Sequence, residues 1–164
     1  STAYAIGTVN LTGNTISHSR KSGLCISSGG INTVNFNNNT VDGTGASQGV
    51  SVNPAFSGSL SFNGGTVKNT QEGALYWTPS SGGSLSVQGV AFQKINKSGT
   101  SSVDVITIGA GAMTSLRIQN CVHSQPDFPL QRFIEEQADA ATQIFAGNQS
   151  TEDSFINGQV VPTI

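Results

Sequence analysis

The chain has 164 residues, 20 of them glycine, with 10% charged side chains and a formal net charge of −2. Seven Lys and Arg against nine Asp and Glu leave no basic stripe to neutralise phosphates, which argues against nucleic acid as a partner. No stretch is apolar enough to span a membrane, and the length suits one domain.

Taken along the chain, one phrase keeps returning. Its copies are VNLTGNTIS at Val9, VNFNNNTVD at Val34, LSFNGGTVK at Leu60, LSVQGVAFQ at Leu85 and LRIQNCVHS at Leu116, at intervals of 25, 26, 25 and 31 residues. A period in this range marks an array whose units bury their apolar faces only by stacking on one another. Each copy is followed by a second run: GLCI at Gly23, GVSV at Gly49, GALY at Gly73 and VITI at Val105. Both runs alternate apolar with polar residues, the period-2 sign of a strand with one buried face. The inward residues are then Val9/Leu11, Val34/Phe36, Leu60/Phe62, Leu85/Val87 and Leu116/Ile118 in the first run. In the second they are Leu24/Ile26, Val50/Val52, Ala74/Tyr76 and Ile106/Ile108. Turn formers separate the strands: SSGG at Ser27, DGTGAS at Asp42, SSGG at Ser80 and KSGT at Lys97.

Short strands joined by Gly, Ser and Asn corners predict an all-β fold, a single-stranded right-handed parallel β-helix of about six coils of roughly 25–28 residues. Ile31, Val34, Phe36, Asn39 and Val41 also fit a leucine-rich repeat. That fold needs a helix or 3₁₀ turn per unit, whereas the second half of each unit here is β-alternating and rich in Gly and Ser. Coils cover 1–124, and 151–164 form a closing segment that sets Phe155, Ile156, Val160 and Val161 over the open end or against a partner chain. Over 125–150 two readings compete. Leu130, Phe133, Ile134, Ala138, Ala141 and Ile144 fit an amphipathic helix, but Val105–Asn120 aligns with Phe133–Asn148 at a constant shift of 28, which favours a further coil. The opening at Ser1, in mid-pattern, leads us to expect a piece of a longer polypeptide.

The cysteines are placed by register. Cys25 lies between inward Leu24 and Ile26 and faces out; Cys121 falls in the turn column of Asn14 and Asn39. About four coils at ~4.8 Å each separate them by roughly 19 Å, beyond the ~7 Å between Cα atoms that a disulfide spans. No metal site and no cofactor are expected from this set of residues. His123 falls in the inward column of Ile16, Val41, Val67 and Phe92 and reads as a tolerated core histidine; His18 reads as outward, and the basic pair Arg20-Lys21 as a solvated corner.

Segments such as VNFNNNTVDGTGASQGVSV and LSFNGGTVKNTQEGALY resemble the repeats of right-handed parallel β-helices of the pectate-lyase-like superfamily, which includes polysaccharide lyases, polygalacturonases and bacteriophage tailspikes. Asn14 and Asn39 are similar to the asparagine ladder of such helices, a structural device in which side-chain amides bond backbone groups along a corner. Before Asp104 the acidic residues are only Asp42 and Glu72, so neither the calcium-binding Asp cluster of pectate lyases nor the Asp set of polygalacturonases transfers. The tailspike branch implies a virion-tail protein, extracellular and homotrimeric, that binds and cuts bacterial surface polysaccharide such as capsule or O-antigen. A non-catalytic structural or adhesive solenoid of a virion or cell surface is the alternative.

One constellation carries candidate chemistry. Glu72 precedes GALY and Asp104 precedes VITI, which places the two carboxylates in one column, one coil and about 5 Å apart. That separation suits a retaining glycosidase, with one group as nucleophile and the other as acid/base. Both are expected at solvated corners. Trp77, following inward Tyr76, is expected to project outward and stack on a sugar; Asn53 and Lys97 are further candidate sugar contacts. The insertion QKINKSGTSSVD, which stretches one interval to 31, is expected to wall this face.

Overall fold

In the computed structural model residues 6–27, 30–79, 82–100, 103–124 and 132–150 are described, with the backbone of two strands beyond them. All regular structure among these residues is β, and the main body is a parallel solenoid of about five turns built on three sheets. The first sheet stacks β1 (Ile6–Thr12), β4 (Ile31–Asn37), β7 (Ser59–Asn63), β10 (Ser84–Gln88), β13 (Ser115–Gln119) and β16 (Gln143–Ala146). The second stacks β2 (Thr15–Ser19), β5 (Thr40–Thr44), β8 (Thr66–Lys68), β11 (Ala91–Gln93), β14 (Val122–Ser124) and β17 (Gln149–Ser150). The third stacks β3 (Leu24–Ile26), β6 (Val50–Val52), β9 (Leu75–Trp77), β12 (Ile106–Met113) and β15 (Ile134–Ala140). Strands β18 (Ser154–Ile156) and β19 (Gln159–Val161) form an antiparallel pair; the side chains of Phe155, Ile156, Val160 and Val161 lie outside the described residues.

The sequence repeat becomes columns of side chains along the axis. In the first sheet Val9, Val34, Leu60, Leu85 and Leu116 align, as do Leu11, Phe36, Phe62, Val87 and Ile118. In the second, Ile16, Val41, Val67, Phe92 and His123 align. From the second coil onward these residues are almost wholly buried, and Phe36 packs edge-on against Phe62 with ring centroids 5.0 Å apart. Each buried Val, Leu, Ile or Phe contributes roughly 1.5–3 kcal/mol relative to exposure.

The inner columns change at both ends. In the first coil Val9, Leu11 and Ile16 have a neighbour on one side only and are partly exposed, and Ile6 is 53% exposed. In the last coil polar side chains enter columns that are apolar elsewhere. Glu136 follows Ile108, Ser150 follows His123, and Gln143 follows Leu116. His123 is fully buried, its Nδ1 lies 2.9 Å from Ser150 Oγ, and its ring stacks on Phe133.

The turn from first to second sheet is built the same way in every coil. Its first residue has positive φ throughout: Gly13, Asn38, Gly64, Gly89, Asn120 and Gly147, at 53–69°. Glycine meets no Cβ penalty there, and Asn is the side chain that tolerates the region best. The next column reads Asn14, Asn39, Gly65, Val90, Cys121, Asn148. Buried Asn39 donates to Leu11 C=O (2.8 Å) and accepts from Asn14 N–H (2.8 Å); buried Asn148 donates to Ile118 C=O (2.8 Å) and accepts from Cys121 N–H (3.0 Å). The same clamp thus joins the first two coils and the last two. Cys25 is exposed and Cys121 buried, both as free thiols, and burial pushes the Cys121 thiol up to about 11.

Two register expectations are corrected. In the third sheet Val50 pairs with Leu75 and Val52 with Trp77, so Leu75 and Trp77 face inward and Tyr76 faces out. The four apolar residues Ala74-Leu75-Tyr76-Trp77 permit either parity, and packing decides. Trp77 fills the interior 5.6 Å from the Phe56 ring, over Gly83, where a Cβ would come within 3.0 Å of the indole. The shift between the last two coils is not constant at 28 either. It holds for Ile106↔Ile134 through Ile108↔Glu136 and becomes 27 from Gly111↔Ala138 onward. The cause is a bulge, where any Cβ on Gly111 would overlap Pro79 C=O. Asn148 consequently aligns with Cys121, not Asn120.

Candidate functional site

The second corner, from second to third sheet, holds the two described cavities. One, of about 210 Å³, is lined by Gln48, Glu72, Gly73, Tyr76, Asp104 and Thr107 among others. The column leading into the third sheet reads Ser22, Gln48, Gly73, Asp104, Arg132. At Gly73 the backbone passes so close to the next coil that a Cβ would meet Asp104 C=O at 2.6 Å, so only glycine fits between Gln48 and Asp104. Tyr76, 39% exposed, stands one strand residue beyond Leu75 between Ser51 and Thr107, and its hydroxyl accepts from Thr78 Oγ1 (3.1 Å).

Glu72 and Asp104 both reach this groove, but not from one column. The pairing of Leu75 with Ile106 sets Glu72 opposite Val103 and Asp104 opposite Gly73. Matching the run at Gly73 to the run at Val105, 32 residues on, produced the misreading; the strands pair at a shift of 31, Leu75 with Ile106 and Trp77 with Ile108. The two carboxylates also differ in surroundings. Glu72 is half-buried and accepts from Gln48 Nε2 at 2.7 Å. Asp104, expected at a solvated corner, is 5% exposed and held by Arg132 Nε at 3.0 Å, while Arg132 also pairs with Glu135. Burial pushes the Asp104 carboxyl above its ordinary 3.8, although the guanidinium pulls the other way.

Trp77, expected to stack on a sugar, is in the core and is withdrawn from that role. Asn53 lies at the third corner, exposed, where its Oδ1 accepts from Ala55 N–H at 2.9 Å, outside both cavities. Lys97 is exposed on the insertion, which folds back onto the neighbouring coil: Asn96 N–H bonds Glu72 C=O, Lys97 N–H bonds Thr70 C=O and Ser98 N–H bonds Gln71 C=O. It lines the second cavity instead.

No family model, curated protein or solved structure matches the chain.

The chemistry therefore rests on the groove itself. An open carboxylate, a buried one with a raised pKa, two hydrogen-bonding side chains (Gln48 and Thr107) and an exposed phenol line one shallow depression. Sequence reasoning missed Tyr76, Gln48 and Arg132. The interval carried the signal for Tyr76, since Ser51 plus 25 is residue 76. Nothing local marks Arg132, which meets Asp104 only after a whole coil of 28 residues.

Proposed function

We propose that this chain is a glycan-binding β-solenoid of the bacteriophage tailspike type, right-handed like the pectate-lyase-like superfamily, and that it takes bacterial surface polysaccharide at the Gly73 groove. The observation that carries the reading is exposed Tyr76 beside a depression rimmed by Gln48, Glu72, Asp104 and Thr107. An aromatic face stacks on the apolar face of a sugar ring, and amide, hydroxyl and carboxylate groups satisfy its hydroxyls. In the hydrolytic form of this reading Glu72, on the open side, is the nucleophile. Asp104 is the acid/base, its carboxyl pushed upward by burial. The virion tail and a homotrimer belong to the same proposal.

A second reading, an adhesive or structural solenoid that binds without cutting, is favoured by the Arg132–Asp104 ion pair, which stabilises the charged form an acid catalyst must avoid. One experiment separates them. Reducing-end release from a panel of capsular polysaccharides and O-antigens is measured for the native chain, Glu72→Gln, Asp104→Asn and Tyr76→Ala. Hydrolysis predicts turnover lost in both carboxylate variants. Binding without cutting predicts no release from any glycan and affinity lowered about tenfold by Tyr76→Ala alone. Absence of binding to the whole panel refutes both.

A further inference from the structure

The second cavity, about 310 Å³, lies on the same corner nearer the second sheet, lined by His18, Arg20, Thr44, Gln71 and Lys97 with the backbone of Gly43 and Gly45. We propose that it binds an oxyanion substituent of a sugar (carboxylate, sulfate or phosphate), and so makes an acidic glycan the ligand of the solenoid; this rests on the glycan-binding reading above.

Arg20 and Lys97 come from coils far apart in sequence, yet border one cavity, and among the described residues neither makes an ion pair. Asp42, the chain neighbour of Gly43, is already engaged: it accepts from Asn69 Nδ2 at 2.7 Å and pairs with Lys68 at 3.2 Å, which hold it below the usual carboxylate range. Two cations at one concavity repel unless an anion sits between them. Several neutral donors are spent as well: Ser19 Oγ donates to Ser22 C=O and Thr44 Oγ1 to Ser47 C=O. The guanidinium of Arg20 and the ammonium of Lys97 thus remain as donors of the type that binds oxyanions, a planar fork and a point charge.

Gln71 lines this cavity and Glu72, its neighbour in the chain, lines the Gly73 groove, so the two depressions flank one backbone step of about 3.8 Å. The insertion carrying Lys97 is bonded onto residues 70–72, which fixes the Lys97 backbone beside that step. A saccharide chain that leaves Tyr76 toward the second sheet runs to the cavity that Arg20 and Lys97 line.

The test uses the whole ¹⁵N-labelled chain titrated with glucuronate, glucose 6-sulfate, glucose 6-phosphate, glucose and inorganic phosphate. The expected result is that the charged sugars, and not glucose, shift the amide signals of Gly43, Thr44 and Gly45. Arg20→Gln and Lys97→Gln should each weaken this at least threefold, and together at least tenfold, with melting unchanged because both side chains are exposed. Should Arg20→Gln fold poorly, Lys97→Gln on the insertion gives the same readout. No shift with any charged sugar, or equal shifts with glucose, overturns the inference. Inorganic phosphate binding as tightly as the charged sugars assigns the cavity to a free ion and overturns the glycan assignment. If neutral glycans bind at Tyr76 while charged sugars leave 43–45 untouched, this inference alone fails. If charged sugars bind at 43–45 but no polysaccharide engages Tyr76, the anion site stands and the groove reading falls.

Discussion

The first and second corners of the solenoid solve the same geometric problem in opposite ways. Every first corner is two residues long, from 13–14 in the first coil to 147–148 in the last, with the same left-handed residue in front. The second corner takes four residues in the first coil, then five, six and twelve (20–23, 45–49, 69–74, 94–105). Both cavities lie on the variable corner and neither on the constant one. A constant corner holds three sheets in register, and this frees its neighbour to change length and carry chemistry. Constant register and variable length thus fall on different edges of one prism.

The largest test of that division lies beneath the variable corner. Trp77→Ala should cost about 3–5 kcal/mol through the cavity it leaves, read as a fall in the denaturation midpoint. Tyr76→Ala, one residue away and outward, should stay within about 0.5 kcal/mol. Equal losses would put the register back in question.

Glycine substitutions sharpen the contrast between corners. Gly65→Ala, on the constant corner, sets a Cβ against Asn39 backbone at a φ of 85°. Left-handed strain of about 1–2 kcal/mol and overpacking of about 1–3 kcal/mol both apply. Gly99→Ala, on the insertion, has φ of 72° and open space around it, so only the strain of about 1–2 kcal/mol remains. The difference between their midpoints measures how tightly the constant corner is packed.

The asparagine clamps should follow. Asn39→Ala and Asn148→Ala each remove a donor and an acceptor, at about 1–3 kcal/mol. Asn148→Ala should be the costlier, because the Cys121 N–H it leaves is buried whereas Asn14 is exposed. Reversal of that order in chemical denaturation would mean the clamp acts through something other than burial.

The smallest expected effect is in pH dependence. The folded-state pKa of Asp104 is raised, so its contribution is fully present below its unfolded value and is lost as pH rises through the raised one. Native stability relative to Asp104→Asn should therefore decline as pH climbs above 3.8. Asp42, whose pKa is lowered, has the opposite sign: relative to Asp42→Asn, the native chain should lose stability as pH falls below 3.8. Parallel pH profiles for the two variants would contradict the assignment of Asp104 to a buried site.

The all-β solenoid, the first-sheet columns and the place of His123 were legible because period-2 alternation and a 25-residue interval reinforce each other there; the clamp at Asn39 was expected from the resemblance to the asparagine ladder. Where alternation and interval separate, the reading failed. Ala74-Leu75-Tyr76-Trp77 is apolar on both parities, so alternation is silent, and matching glycine to glycine overrode the interval. The bulge at Gly109–Gly111 follows from the approach of Pro79, a contact between coils that no local pattern encodes. Burial of Asp104 was hidden for the same reason, since Arg132 arrives from the coil above.

The placement of the clamps bears on how the molecule comes apart under load. Backbone hydrogen bonds between coils run along the solenoid axis, so a pull on the two ends opens them one coil at a time, like links let out from a chain. Each release frees about 25 residues, roughly 80–90 Å of extended backbone. A joint with a side-chain stitch across it opens later than one without. Asn39 and Asn148 cross-stitch the first and the last of the described joints, while Gly65 and Val90 leave joints between them without that stitch, and there the stack gives way sooner.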